Sequence, residues 1–167
     1  QDTPIAITTK SLGQLEAADV TTISRLGSVI PNLWTVPGDA RSAGTPKITM
    51  RGVAQGDSSS YAAPPGVAIY TDDVYHATTA GSELNLSDID RIEVNRGPQS
   101  TLSGNASIGG AIKIYTRDPE GDNSGFVTLT GGSRDKLGLG GAFDLGLTPQ
   151  LALRISGDFE RQTGWVE

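Results

Sequence analysis

The side chains that could carry out catalysis are few in this chain and poorly placed for it. His76 is its one histidine, so a serine, histidine and aspartate triad would have to use it, and no G-x-S-x-G nucleophile elbow occurs. Asp57, Asp72 and Asp73 could together bind a cation, but they lack the spacing of an EF-hand. Aspartates of this kind are common in turns. The residues therefore predict a protein that is not an enzyme and holds no metal.

Glycine-rich segments and charge do not indicate a nucleotide or nucleic-acid site. Residues 104–110 lack the lysine of a P-loop, and Gly138-Leu139-Gly140 lacks the third glycine of a dinucleotide fingerprint. The net charge is -6, whereas phosphate binding needs clustered lysine and arginine. The chain has no cysteine, which excludes disulfides and thiolate ligands. We therefore expect no cofactor and no nucleic-acid partner.

Hydrophobic periodicity divides the 167 residues into short elements. Ser11 and Gln14 form a capping box ahead of a short helix through Ala18, and a second helix is predicted from Thr21 or Thr22 to Pro31. Strands are predicted over residues 48–53 and 111–116, with a hairpin over 67–75 that turns at Asp72-Asp73, and polar loops over 38–45, 54–65 and 76–86. No apolar run approaches the roughly 20 residues of a membrane-spanning helix. No secretion signal is recognisable either, which predicts a mature chain.

The most informative segment covers residues 92–112. Ile92 and Val94 alternate with polar residues as in a half-buried strand, Gly97-Pro98 forms a turn, and a short helix is predicted to follow. The segment closes in Ile108-Gly109-Gly110-Ala111-Ile112. It resembles the EVLRGPQGTLYG...IGGAINI pattern of the plug domain in TonB-dependent outer-membrane receptors. Ser100 and Ser103 depart from this pattern, which has glycine and tyrosine there.

Other segments resemble the same family in the same order. Residues 1–8 resemble its QDVPIAIT, residues 30–33 its VPNL, residues 48–53 its IRGV, and residues 65–75 its PGVGVYVDGVY. Asp73 stands where a hairpin glycine is common in the family. An Asp-Asp turn remains possible because aspartate tolerates positive φ better than most residues.

Beyond Asp122 the pattern changes to long amphipathic strands. Apolar residues alternate with small or polar ones over residues 126–130, 137–148 and 151–160, with a tight turn at 148–150. A soluble sandwich gives the same alternation, because one face of its sheet meets a core. The family resemblance favours the first strands of an outer-membrane barrel, apolar towards lipid and polar towards the lumen.

The resemblance implies an α+β plug domain, a small mixed β-sheet with short helices, over residues 1–118. A linker over 119–125 leads to about three antiparallel strands of a transmembrane β-barrel over 126–167. Three strands cannot close a barrel, and an open edge in lipid leaves backbone groups unpaired. The remaining strands are therefore expected from the same polypeptide or from a second chain.

Two sets of residues are candidates for function. By resemblance, Arg51 and Arg96 pair with barrel glutamates and lock the plug in the lumen, and Arg91 and Glu93 join that network. Surface arginines that contribute about 0 to 1 kcal/mol are the alternative. The second set lies in loops expected to face incoming substrate, where ordinary solvated residues are the alternative: Gln55, Asp57, Tyr61, Tyr75, His76 and Thr78.

The resemblance implies a receptor and active transporter of a Gram-negative outer membrane. Its substrate would be a ferric siderophore or another scarce large nutrient. Its partners would be TonB with the inner-membrane energising complex, and outer-membrane lipid. TonB would pull the N-terminal segment of the plug to open a path. A non-transporting plug-like periplasmic module for signalling or assembly is the alternative, but such a module has no need of the alternating strands after Asp122.

Overall fold

The computed structural model describes residues 6–38, 45–54, 66–77, 83–97, 107–133 and 135–163. The chain divides into two compact units, Gln1–Thr116 and Arg117–Glu167. The helix predicted after Pro98 lies outside the described residues. No helix in the described ranges is long and apolar enough to cross a membrane.

The described part of the first unit consists of short strands and two short helices. In chain order they are β1 Ala6–Ser11, α1 Leu12–Glu16, a 3-10 helix Ile23–Ser28, β2 Leu33–Val36, β3 Lys47–Met50, β4 Val53–Ala54, β5 Val67–Thr71, β6 Val74–Tyr75, β7 Ile89–Arg96 and β8 Gly110–Thr116.

A five-stranded sheet in the order β1-β7-β8-β5-β6 is the main layer of this unit. β5 and β8 run parallel, and the other neighbours are antiparallel. Strands β2, β3 and β4 form a separate antiparallel sheet. The prediction of a small mixed sheet with short helices is confirmed.

Strand β7 shows why the main sheet has one apolar face. Ile92 and Val94 are completely buried, whereas Glu93 between them points to the opposite face. The buried side packs against the helices and the second sheet in one cluster: Leu15, Val20, Ile23, Leu26, Ile30, Leu33, Ile48, Met50, Val67, Ile69, Leu86, Ile89, Ile92, Val94, Ile112 and Ile114. Each large side chain buried here stabilises the fold by about 1.5 to 3 kcal/mol.

The second predicted helix is a 3-10 helix and is shorter than expected. Thr35 of β2 explains the difference. Its Oγ1 accepts the Gly27 N–H at 2.8 Å and donates to the Ser24 carbonyl at 2.8 Å. These two backbone groups are therefore bonded to a neighbouring strand, not to an α-helical ladder. Ile23 and Leu26 are nevertheless buried on one side, as the apolar spacing predicted.

The first helix begins as predicted and ends early. The Ser11 N–H donates to Gln14 Oε1 at 3.2 Å, which confirms that arm of the capping box. Helix α1 ends at Glu16, before the predicted Ala18. Asp19 has a φ of 54° and turns the chain, with the Val20 N–H bonded to the Leu15 carbonyl at 2.9 Å.

Two hairpin turns use left-handed backbone at residues other than glycine. The single strand predicted over residues 48–53 is wrong, because Arg51 and Gly52 have φ of 50° and 80° and turn the chain between β3 and β4. The predicted turn at Asp72-Asp73 is confirmed, with φ of 48° and 64°. Two consecutive positive φ values match the type I′ turn that suits the twist of a hairpin.

The second unit is a three-stranded antiparallel sheet in the order β11-β10-β9, from β9 Gly125–Gly132, β10 Lys136–Thr148 and β11 Leu151–Arg161. The three amphipathic strands predicted here are confirmed. Leu129, Leu139 and Phe159 lie directly opposite one another across the sheet, as do Leu145 and Leu153. Phe126 is half-buried, whereas eleven other large apolar side chains in the described part of this unit are exposed: Val127, Leu129, Leu137, Leu139, Phe143, Leu145, Leu147, Leu151, Leu153, Ile155 and Phe159.

Gly110 and Gly13 should respond in opposite ways to alanine. Gly110 has a φ of 140°, and an added Cβ would collide with the Asn95 carbonyl and lie 2.6 Å from Met50 Sδ. We expect Gly110→Ala to lower the free energy of unfolding by about 2 kcal/mol or more. Gly13 lies in α1 with open space around it, so Gly13→Ala should raise that free energy by about 0.5 to 1 kcal/mol. Denaturant titration of both purified variants checks this, and equal midpoints would contradict it.

Candidate functional site

The structure describes two of the six residues predicted to bind substrate, Tyr75 and His76. The other four lie outside the described residues: Gln55, Asp57, Tyr61 and Thr78. Tyr75 and His76 follow the Asp72-Asp73 turn, and both are half-buried. Val74, beside the turn, is 68% exposed.

Tyr75 is fixed by aromatic packing on the face of the main sheet away from the core. Its ring centroid lies 5.4 Å from that of Tyr70 at a tilt of 49°, and it packs beside Ala68 and Ala111. Burial, followed by the charge of Tyr70, raises the pKa of the Tyr75 phenol. The phenol is therefore neutral at physiological pH, and its hydroxyl can donate a hydrogen bond to a ligand.

His76 closes the same hairpin through both its backbone and its ring. Its N–H donates to the Ile69 carbonyl at 2.9 Å, and its Nε2 lies 2.9 Å from Thr71 Oγ1. Within the described ranges, no three histidine, aspartate or glutamate residues group so as to hold a metal ion. The hairpin can therefore offer hydrogen bonds and an aromatic surface to a ligand.

Charged residues beside this hairpin were not anticipated from the sequence. Lys113 Nζ donates to Asp73 Oδ1 at 3.2 Å and lies 5.7 Å from the centre of the Tyr70 ring. Burial disfavours the Lys113 charge, but the hydrogen bond to Asp73 and nearby acidic groups outweigh it and raise its pKa. The parallel pairing of β5 with β8 places Lys113 opposite Tyr70 and so brings it beside the hairpin. That pairing joins residues 43 positions apart in sequence (113 − 70), and no local pattern indicates it.

The arginines predicted to lock the plug fall into two separate groups. Arg91 Nε donates to Glu93 at 2.9 Å and its Nη1 to Asp90 at 2.9 Å, while its guanidinium lies 4.0 Å from the centre of the Tyr115 ring. The hydrogen bond to Glu93, followed by that to Asp90, raises the already high pKa of Arg91. The Arg91 side chain is 39% exposed, so solvent screening keeps each pair near 0 to 1 kcal/mol, an estimate for surface pairs.

Arg96 holds the edge strand β1. Its Nη2 donates to Thr8 Oγ1 at 2.8 Å, its Nε to the Ala6 carbonyl at 3.4 Å, and its Nη1 to the Pro31 carbonyl at 3.5 Å. Thr8 lies opposite Val94 on the pairing of β1 with β7. The side chain therefore ties β1 both to β7 and to the segment that follows the 3-10 helix.

Arg51 contacts the residue next to Pro31, which Arg96 contacts. Its N–H donates to the Asn32 carbonyl at 3.1 Å, and its Nη1 lies 3.2 Å from the position that a Cβ on Gly97 would occupy. The structure thus brings Arg51 and Arg96 to the Pro31-Asn32 segment, apart from the Arg91 and Glu93 pair. An ion pair between these arginines and a barrel carboxylate stays a prediction.

Removal of the Arg96 side chain should loosen β1. Arg96→Ala deletes a charged hydrogen bond and two longer contacts, which we expect to cost about 1 to 2 kcal/mol locally. Hydrogen exchange of the β1 amides should accelerate, as measured by mass spectrometry. Arg25→Ala is the matched control, because that arginine pairs with Asp19 and is 54% exposed. Unchanged exchange of β1 in Arg96→Ala would contradict the tie.

Comparison with known proteins places these features in a family. The family model of the TonB-dependent Receptor Plug Domain matches residues 1–111 of this chain. The chain is 32% identical over 147 residues to the Pesticin receptor of Yersinia pestis, covering 86% of this chain and 21% of that protein. It is 29% identical over 160 residues to the Ferrioxamine B receptor of Salmonella typhimurium LT2, covering 93% of this chain and 22% of that protein.

A solved receptor structure is also similar to this chain. The crystal structure of the ferric yersiniabactin uptake receptor from Yersinia pestis matches with a TM-score of 0.73 and 29% identity, covering 95% of this chain and 24% of that one. The chain spans about a fifth of the length of the curated relatives it matches. These relatives are receptors, not enzymes. By the match over residues 1–111 and the fold that accompanies it, the chain belongs to the TonB-dependent receptor plug family.

Proposed function

We propose that this chain forms the plug and the first barrel strands of a TonB-dependent receptor that imports a ferric siderophore across a Gram-negative outer membrane by active transport. One observation carries the proposal. The unit that matches the plug family is followed, in the same chain, by a sheet whose large apolar side chains are exposed along one face. In water such a face would be a costly exposed patch, whereas in lipid it is the favoured surface.

The dimensions of the second sheet support a membrane location. β10 has 13 residues and β11 has 11, enough for tilted strands that need about 9 to 11 to cross a bilayer. Ser156, Asp158 and Glu160 alternate with the apolar residues of β11 and face the other way. β9 and β11 are the outer strands of this sheet, and in a membrane both edges need partners. Further strands, from a longer polypeptide or a second chain, would close the barrel.

The names of the relatives support the substrate class. They include a Ferrioxamine B receptor and a ferric yersiniabactin uptake receptor, and the second name states that the ligand carries ferric iron. The hairpin that carries Tyr75 and His76 would contribute to binding such a substrate, together with Gln55, Asp57, Tyr61 and Thr78. TonB would supply the energy by acting on the N-terminal side of the plug. Arg51 and Arg96 would contact carboxylates of the barrel wall, and the separate Arg91 and Glu93 pair would join that network.

Iron uptake by cells tests the proposed function. The receptor that contains this chain would be expressed in a Gram-negative strain lacking its own siderophore receptors, and uptake of radioactive iron measured with ferrioxamine B, ferric yersiniabactin and a ferripyoverdine. We expect uptake with at least one chelate, and its loss when TonB is deleted. Fractionation with periplasm and no uptake would instead favour a non-transporting periplasmic module.

Charge should be tolerated on one face of β11 and not on the other. Leu153 lies on the apolar face opposite Leu145, and Ser156 lies on the polar face opposite Ala142. We expect Leu153→Arg to destabilise the assembled barrel by about 2 to 4 kcal/mol, since it places a charge in lipid, and Ser156→Arg to have a smaller effect. The heat resistance of the folded barrel on a gel measures both. Equal loss, or the reverse order, would contradict the lipid-facing assignment.

The hairpin should contribute to affinity for substrate. Replacing Tyr75 and His76 together with alanine removes an aromatic surface and a hydrogen-bonding ring, and should weaken equilibrium binding of the transported chelate by about 1 kcal/mol or more. Tyr75→Phe is the matched control for packing, because it keeps the ring on Tyr70 and removes the hydroxyl alone. Thermal unfolding of each variant separates lost binding from lost folding. Full affinity in the folded double variant would place recognition elsewhere.

A further inference from the structure

The segment between the two units has the composition of a free polar linker, and most of its residues are exposed. Its hydrogen bonds nevertheless fix much of it to the rest of the protein. We infer that two aspartates, Asp72 in the first unit and Asp144 in the second, clasp the two ends of this connection. Residues 117–119 then form the tether between the clasps. Residues 120–124, which the second clasp holds, are called the strap below.

Asp144 is the centre of the second clasp. It lies on the polar face of β10 and is 1% exposed. Its Oδ1 accepts the Gly121 N–H at 2.6 Å, and its Oδ2 accepts the Glu120 N–H at 2.8 Å. Arg154 on β11 places Nη1 3.4 Å from the same Oδ2 and is itself 9% exposed. A buried carboxylate is costly unless it is paired and hydrogen-bonded, and here the strap supplies two of its donors.

Two backbone N–H groups of β10 also bond to the strap. The Asp144 N–H donates to the Ser124 carbonyl at 2.8 Å, and the Gly146 N–H donates to Asn123 Oδ1 at 3.1 Å. Gly146 is needed for this approach, because a Cβ there would collide with the Gly121 carbonyl. Gly121 has a φ of 73°, which turns the strap against the sheet. The strap therefore lies directly on the backbone of β10.

Asp72 forms the first clasp. Its Oδ1 accepts the Thr116 N–H at 2.9 Å, and its Oδ2 accepts the Thr116 hydroxyl at 2.7 Å. The Asp72 N–H donates to the Ile114 carbonyl at 2.9 Å. The turn that carries Asp72 is thus bonded to the last residues of β8. These bonds are solvent-exposed, so this clasp is the weaker of the two.

The connection between the two clasps is three residues long. The four Cα–Cα steps from Thr116 to Glu120, the residues that the clasps hold, span at most about 14 Å when fully extended. Pro119 narrows the range further by fixing its own φ. If the plug moves during transport, a consequence that rests on the proposed function, only residues 117–119 are free to change conformation while both clasps hold. The clasps themselves do not depend on transport.

Hydrogen exchange of the intact receptor in detergent tests the second clasp. We expect the Glu120 and Gly121 amides to be protected, although residues around them are exposed. Asp144→Asn puts an amide donor against one of those N–H groups and removes the negative charge of residue 144 that faces Arg154. Exchange of both amides should accelerate by about tenfold or more. Glu160→Gln is the matched control, a carboxylate on the same face whose partner is Lys136 of β10.

A second variant breaks the clasp without changing charge. Gly146→Ala should push the strap away, whereas Gly138→Ala, on the same strand and face, meets the Thr130 side chain instead. A protease specific for glutamate should cut after Glu120 faster in Gly146→Ala and Asp144→Asn than in wild type. Unprotected Glu120 and Gly121 amides in the wild-type receptor would overturn the inference, as would unchanged exchange and cleavage in folded variants. If the wild-type receptor takes up no iron but the strap amides are protected from exchange, the result counts against the proposed function and not against the clasp.

Discussion

The two-faced character of β7 is the constraint on which the rest of the first unit depends. Ile92 and Val94 enter the core with no exposure, and burial of each is worth about 1.5 to 3 kcal/mol. The opposite face carries Arg91 and Glu93, whose exposed pair contributes about 0 to 1 kcal/mol. Stability is therefore supplied by the apolar face. The polar face is available for contacts with a partner at little cost to the fold.

The second unit reverses this arrangement. The large apolar residues on one face of its sheet are exposed, while Ala142 and Asp144 are buried on the face that is otherwise polar. The same period of two produces both units, but the surroundings of each face differ. In the first unit a core covers the apolar side, and in the second we propose that lipid does. Under this proposal, one alternating pattern faces a protein core in the first unit and lipid in the second.

The sequence predicted a secondary-structure element correctly where the preference of its own residues agrees with their tertiary contacts. The strand through Ile92 and Val94, the strand over 111–116 and the alternation over 137–160 were predicted correctly, because no long-range contact overrides them. The strand over 48–53 failed because Arg51 adopts left-handed backbone, which its residue type rarely does. The 3-10 helix was missed because Thr35, which bonds its backbone, follows it in sequence on another element. Strand β1 was not predicted, since its polar residues alternate between half-buried and exposed positions and pair with β7 far along the chain.

The candidate site shows the same limit at the level of side chains. The turn at Asp72-Asp73 could be predicted, but the bonds from Asp72 to Thr116 join residues 44 positions apart. Asp144 looked like one more lumen-facing residue in an alternating strand. Its partners are backbone N–H groups 23 and 24 positions earlier, and backbone groups leave no trace in sequence. Family resemblance drew attention to Arg51 and Arg96, but it did not indicate which segments of this chain they contact.

Two hydrogen-bonded ties, one in each unit, differ in strength. At the N-terminal edge of the first unit, half-exposed Arg96 reaches β1 through one short bond of 2.8 Å and one of 3.4 Å. At the start of the second unit, Asp144 is buried and accepts bonds of 2.6 and 2.8 Å from the strap, with an arginine beside it. Charged hydrogen bonds are stronger where water is excluded. β1, an edge strand with a single neighbour in its sheet, is therefore held less firmly by Arg96 than the strap is held by Asp144.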